Sequence, residues 1–97
     1  MNDETPDIIL CRRQSTLCGR HLEYSLIQHS SDNGIEYYDI DTRISYGNYS
    51  DEITVSVGND RVRAEIVFSL LADNCVTPCC VEEVLQDYES VELNKKY

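Results

Sequence analysis

The chain has 97 residues, enough for one domain with a single modest core, because a chain this short buries only roughly two thirds of its unfolded surface. Its apolar fraction of 41% is that of a globular protein and argues against wholesale disorder; with no Trp and one Phe, the seven Tyr carry most of the aromatic area. Asp and Glu outnumber Lys and Arg by 18 to 8, a formal net charge of −10, which argues against binding nucleic acid or an anionic membrane surface, since both select clustered positive charge.

The opening MNDETPDIILCRR is acidic where a signal peptide is basic. Its apolar run, Ile8 to Cys11, is too short for the hydrophobic region of one. No stretch approaches a membrane span. These features predict a cytoplasmic protein whose five cysteines are thiols rather than a disulfide framework. Residues 1–20 divide into an acidic tail over 1–7 and a segment with two readings. DIILC fits a short strand, and RRQSTLCG fits a loop or one arm of an extra hairpin ending at Gly19. RRQS also matches a site for basophilic kinases, a pattern too short to carry weight.

Residues 21–90 read as one α+β domain. LEYSLIQ alternates: Leu22, Tyr24 and Leu26 face one way, Glu23, Ser25 and Ile27 the other, the pattern of a half-buried strand. SSDNG follows, with Asn33-Gly34 offering the positive φ of a tight hairpin. IEYYDIDTRISY alternates again, placing Tyr38, Ile40, Ile44 and Tyr46 on one face and Tyr37, Asp39, Asp41 and Arg43 on the other. GNYSD is a second turn, and EITVSV a third strand with Ile53, Val55 and Val57 inward. Strands joined by short turns make an antiparallel meander.

The period then becomes helical. GNDRVRAEIVFSLLADN brings Val62, Ile66, Val67, Leu70 and Leu71 onto a wide apolar arc, with Ala64 and Phe68 beside them. Asn59 is the expected N-cap and Asp60 faces the positive end of the helix dipole. An arc this wide predicts packing on the sheet and on a second helix. In NCVTPCC, Asn74 ends the first helix and Thr77-Pro78 starts the next, because Thr caps and Pro loses no hydrogen bond at the first helical position. The second helix, PCCVEEVLQDY, is expected to bury Cys80, Val81, Val84, Leu85 and Tyr88. Residues 91–97 form a polar, frayed tail.

Three stretches, LEYSLI, LLADNCVTP and VEEVLQDY, occur in an order and spacing that resembles a family of short uncharacterised proteins of spore-forming, low-GC Gram-positive bacteria, a domain of unknown function. The resemblance covers about residues 22–88. It implies a bacterial, cytoplasmic protein and supplies no activity, ligand or catalytic residue. The cysteines are not part of the family pattern.

The residues that could carry chemistry are few. Cys75, Cys79 and Cys80 fall within zinc-ligand spacings, and Cys11, Cys18 or His21 could complete a tetrahedron; against that stand the missing CxxC pairs and the ordinary role of a free Cys as a small buried hydrophobe. Cys79 at a helix N-terminus gains thiolate character, but no base accompanies it, and Glu82 and Glu83 are expected to raise its pKa. Asp39 and Asp41 share a strand face beside Arg43 and read as a solvated polar surface. The chain has four Gly and no phosphate loop.

The reading is therefore α+β: a three-stranded, or with an N-terminal addition four-stranded, antiparallel meander followed by two helices packed on one face. The expected function is a non-enzymatic cytoplasmic interaction or regulatory module, with no catalytic, cofactor or metal residues assigned. Its partner is a protein, or a second copy joined through the open sheet face or an edge. The alternatives are a zinc-binding module using Cys75, Cys79 and Cys80, and an acidic DNA-mimic inhibitor.

Overall fold

A computed structural model describes residues 7–95, with side chains described through Glu89. The acidic residues 1–6 and the last two of the tail lie outside the described residues. Four strands, β1 (Ile8–Leu17), β2 (Arg20–Ser30), β3 (Glu36–Tyr46) and β4 (Tyr49–Ser56), precede two helices, α1 (Arg61–Asp73) and α2 (Pro78–Lys95). The strands form one antiparallel sheet in the order β1-β2-β3-β4, each paired with its neighbour in sequence. The fold is the α+β meander the alternation predicts, in its four-stranded form.

The segment that the sequence left between loop and strand is strand. β1 pairs with β2 from Ile8↔Gln28 to Leu17↔Arg20, interrupted by a bulge between Ile9 and Cys11. Its hairpin turns at Cys18 (φ 52°) and Gly19 (φ 77°); two successive positive φ values give the turn a twist matching the strands it joins. The β2–β3 connection is wider than the expected Asn33-Gly34 turn. Gly34 N–H bonds to the Ser31 carbonyl, the Ser31 N–H bonds to Ile35, and only Gly34 (φ 81°) carries the left-handed backbone. β4 starts three residues earlier than EITVSV suggests, directly after Gly47-Asn48.

One face of the sheet supplies Leu22, Tyr24, Leu26, Tyr38, Ile40 and Ile44 to the core. α1 closes it with Ala64, Val67, Phe68, Leu71 and Ala72, and α2 with Val81 and the half-buried Val84, Leu85 and Tyr88. Each large aliphatic side chain buried here contributes roughly 1.5–3 kcal/mol. Both helices lie on this face, so among the described residues the other face carries no helix.

Several expectations are corrected. The N-cap of α1 is Asp60, not Asn59: its carboxylate accepts from the Val62 and Arg63 N–H groups. Val62 and Ile66 are exposed, Ile66 by 50%. Arg63 of α1 lies 5.8 Å over the Tyr88 ring and 3.8 Å from Glu89 of α2, while Val62 and Ile66, on the outer half of the arc, stay exposed. Tyr46 has the expected facing but sits beyond the helices' cover and is 53% exposed. Cys80 is exposed, because the buried stripe of α2 begins one residue later at Val81. The helix continues through Lys95, where a frayed tail was expected from residue 91.

The NCVTPCC turn closes with a specific geometry. Cys75 N–H bonds to the Ala72 carbonyl and Val76 N–H to the Leu71 carbonyl. This nested pair is the Schellman ending of a helix, and it requires a left-handed residue after the cap. That residue is Cys75 (φ 50°), whereas Asn74 keeps φ −99°.

Candidate interaction face

The uncovered face is built from the outward positions of all four strands. Registers align Gln14 with Glu23, Glu23 with Arg43, and Arg43 with Glu52, across β1, β2, β3 and β4. Cross-strand neighbours of this kind interact directly. Gln14 donates to Glu23 at 2.8 Å, and Arg43 Nε lies 2.8 Å from Asp41 and 3.1 Å from Glu52. Thr54 Oγ1 donates to the other oxygen of Asp41 at 3.0 Å. Asp41 is only 5% exposed, although it stands on the uncovered face, because Arg43 and Thr54 close over it. The solvated carboxylate pair expected at Asp39 and Asp41 is thus two separate sites, each already bonded. The neighbouring Asp41 carboxylate pushes the Glu52 carboxyl above the usual range, with Arg43 pulling it back.

Asp39 belongs to a second cluster. His29 lies between two carboxylates, Nδ1 2.7 Å from Asp7 and Nε2 2.7 Å from Asp39. A carboxylate only accepts, so this arrangement favours the doubly protonated ring, in which both nitrogens donate. Partial burial opposes the charge, and the two hydrogen-bonded carboxylates outweigh it and raise the His29 pKa.

Beside this cluster lies an apolar corner. Ile9 pairs with Ile27 across β1 and β2, and Tyr37 pairs with His29 across β2 and β3. Ile35, two residues before Tyr37, ends the β2–β3 turn next to this strand end. Ile9, Ile35 and Tyr37 are exposed, Tyr37 by 41%. Alternation in the sequence already points Ile27 and Tyr37 outward; Ile9 and Ile35 join them only once the register of β1 and the wide β2–β3 turn are fixed.

The five cysteines do not converge on one site. Cys75 packs against the core with its thiol 3.7 Å from the Ser15 hydroxyl, and Cys11 packs at the core edge. Cys18 is at a hairpin tip, and His21 is on the opposite face of the sheet from the helices. No group of three or more His, Cys, Asp or Glu side chains that could hold a metal ion occurs among the described residues. Cys79 contacts Thr77 Oγ1 at 3.3 Å and Cys80 Sγ at 3.8 Å. Those two contacts lower its pKa, the Thr77 hydrogen bond most, against the rise expected from Glu82 and Glu83. Neither contact is a general base. No helix among the described residues is long and apolar enough to cross a membrane.

No protein-family model matches the chain, and no curated protein or solved structure is detectably similar to it.

Proposed function

We propose that the protein is a non-enzymatic, cytoplasmic interaction module of bacterial origin that binds a protein partner through the uncovered face of its sheet. The observation that supports this reading is the apolar corner Ile9, Ile27, Ile35 and Tyr37, set beside a face whose charged groups are paired among themselves. Exposed apolar residues grouped on one face and rimmed by polar ones are the composition of a binding surface. Charge favours a different protein over a second copy: two chains of net charge −10 repel, whereas a partner with an apolar element and a basic rim is attracted. The internal pairing of Glu23, Asp39, Asp41 and Glu52 with Arg43, His29 and Gln14 works against the DNA-mimic alternative, which needs rows of free carboxylates. The dispersal of Cys75 away from Cys79 and Cys80 works against the three-cysteine zinc module.

A photo-crosslinking side chain at position 37, compared with one at Gln86 on the outer side of α2, tests the reading in extract of a source cell. The expected result is a discrete adduct from position 37 only, competed by excess wild-type chain and not by an Ile9→Asp chain. Identical adducts from both positions, or none from 37, overturn it.

A further inference from the structure

A second feature, on the other face of the molecule, lies outside that reading. Adjacent residues on a helix point about 100° apart, yet the thiols of Cys79 and Cys80 turn toward each other, with their sulfurs 3.8 Å apart. Both side chains are exposed. Two sulfurs held at roughly 2.3 Å by one pyramidal centre with an angle of about 95° stand about 3.4 Å apart. The pair, 3.8 Å apart on exposed side chains, needs only a small rotation to grip one atom. Thr77 hydrogen-bonds Cys79, and both thiols sit in the first turn of α2, where the helix dipole favours the thiolate.

Among the described residues no third ligand joins the pair, which limits what it can hold. A structural zinc ion needs four donors. A trivalent arsenic that already carries one carbon substituent needs two sulfurs and is then complete. A place for that substituent adjoins Cys79, the one of the two that lines it. Arg20, Ile44, Tyr46, Tyr49, Pro78 and Cys79 line a groove of about 220 Å³, with the Arg20 guanidinium stacked 5.7 Å over the Tyr46 ring. Its exposed tyrosine rings and proline offer an apolar bed for an aryl or alkyl group.

We propose that Cys79 and Cys80 form a bidentate site for monosubstituted trivalent arsenicals, with the organic group laid in the Tyr46–Tyr49 groove. For an arsine oxide, R–As=O, two As–S bonds form, the As=O bond breaks, and the two thiol protons leave with its oxygen as one water. Arsenic remains trivalent, so no oxidant or reductant is consumed.

The test is intact-mass spectrometry of the reduced full-length chain with phenylarsine oxide. The expected product is one phenylarsenic per chain with loss of one water, which persists in excess monothiol and is released by a 1,2-dithiol. Cys79→Ser and Cys80→Ser should each abolish the persistent adduct, and Cys75→Ala should keep it. Both serine variants change exposed side chains, and far-UV circular dichroism confirms that they fold. Peptide mapping of the wild-type adduct gives an independent readout, with arsenic expected on the peptide that carries residues 79 and 80. Tyr46→Ala should weaken phenylarsine oxide binding and leave methylarsine oxide binding less affected, the smaller group making less use of the groove. A persistent adduct in either serine variant, arsenic mapped to Cys11 or Cys18, or an adduct removed by monothiol overturns the proposal.

Discussion

The phenol of Tyr24, in the middle of β2, donates a 2.8 Å hydrogen bond to the backbone carbonyl of Val76, in the turn between the helices and 52 residues away. This bond fastens the NCVTPCC turn to the sheet. It also satisfies the hydroxyl of a side chain that is otherwise completely buried. Removing the hydroxyl as Tyr24→Phe leaves the Val76 carbonyl without its donor and should cost about 1–2 kcal/mol, read by chemical denaturation. Burial, with Cys75 adding and Arg13 opposing, pushes the Tyr24 phenol up to about 12 from 10.0. A folded pKa above the unfolded one means the contribution is complete below pH 10 and lost as pH rises toward 12. Wild-type stability should therefore fall across that window more steeply than that of Tyr24→Phe.

His29 should report the same linkage near neutrality. Its folded pKa is raised above 6.5, so its contribution to stability is complete below pH 6.5 and declines as pH rises through the folded value. Titration of the His29 ring by NMR should give a midpoint above the ordinary value of 6.5. Asp39→Asn should lower it, because one charge-assisted hydrogen bond is lost. A midpoint for His29 unchanged by Asp39→Asn would show that the carboxylate sandwich does not form in solution.

Thr42 lies in β3 under the helices, fully buried, and its hydroxyl has no hydrogen-bond partner. An unsatisfied buried hydroxyl is a standing cost, and valine has nearly the same shape and strand preference. Thr42→Val should stabilise the fold by about 1 kcal/mol, a rise in Tm of roughly 4–8 °C for a domain of this size. A fall in Tm would mean that the hydroxyl is bonded.

Cys18 holds a left-handed backbone at φ 52° in the β1–β2 turn, with its side chain exposed. Asparagine tolerates this conformation better than other L residues, and Asn-Gly is the preferred dipeptide for such a turn. Cys18→Asn should raise stability by about 0.5–1 kcal/mol in a thermal melt, without altering the arsenical adduct at residues 79 and 80.

Ile9 and Tyr37 are exposed and carry little of the core. Ile9→Asp and Tyr37→Ser should each change stability by less than about 1 kcal/mol, checked by urea denaturation. A larger loss would make the apolar corner a structural element and remove the support for its role as a binding surface.

The sequence by itself determined the architecture from Leu22 onward. Strict alternation in LEYSLIQ and IEYYDIDTRISY sorts side chains to two faces, and the change to helical spacing after Gly58 marks where the sheet ends. Both signals are local, because the periods of strand and helix are properties of the backbone. Thr77-Pro78 likewise marks the start of α2 by local chemistry alone.

Tertiary structure decided what local patterns cannot hold. IILCRRQSTL has weak alternation of its own and becomes a strand because β2 offers an edge to pair with. Ile66 is apolar at a helical position, yet exposed, because burial depends on where α1 and α2 settle on the sheet. Asp41 alternates outward and is nonetheless buried, because Arg43 and Thr54 reach it from its own strand and from β4. The convergence of Asp7, His29 and Asp39, and of Tyr24 with Val76, joins residues far apart in the chain. Spacing along a sequence fixes a residue's direction from its own backbone; what lies in that direction depends on strand register and helix placement, which are set by the packing of the whole domain.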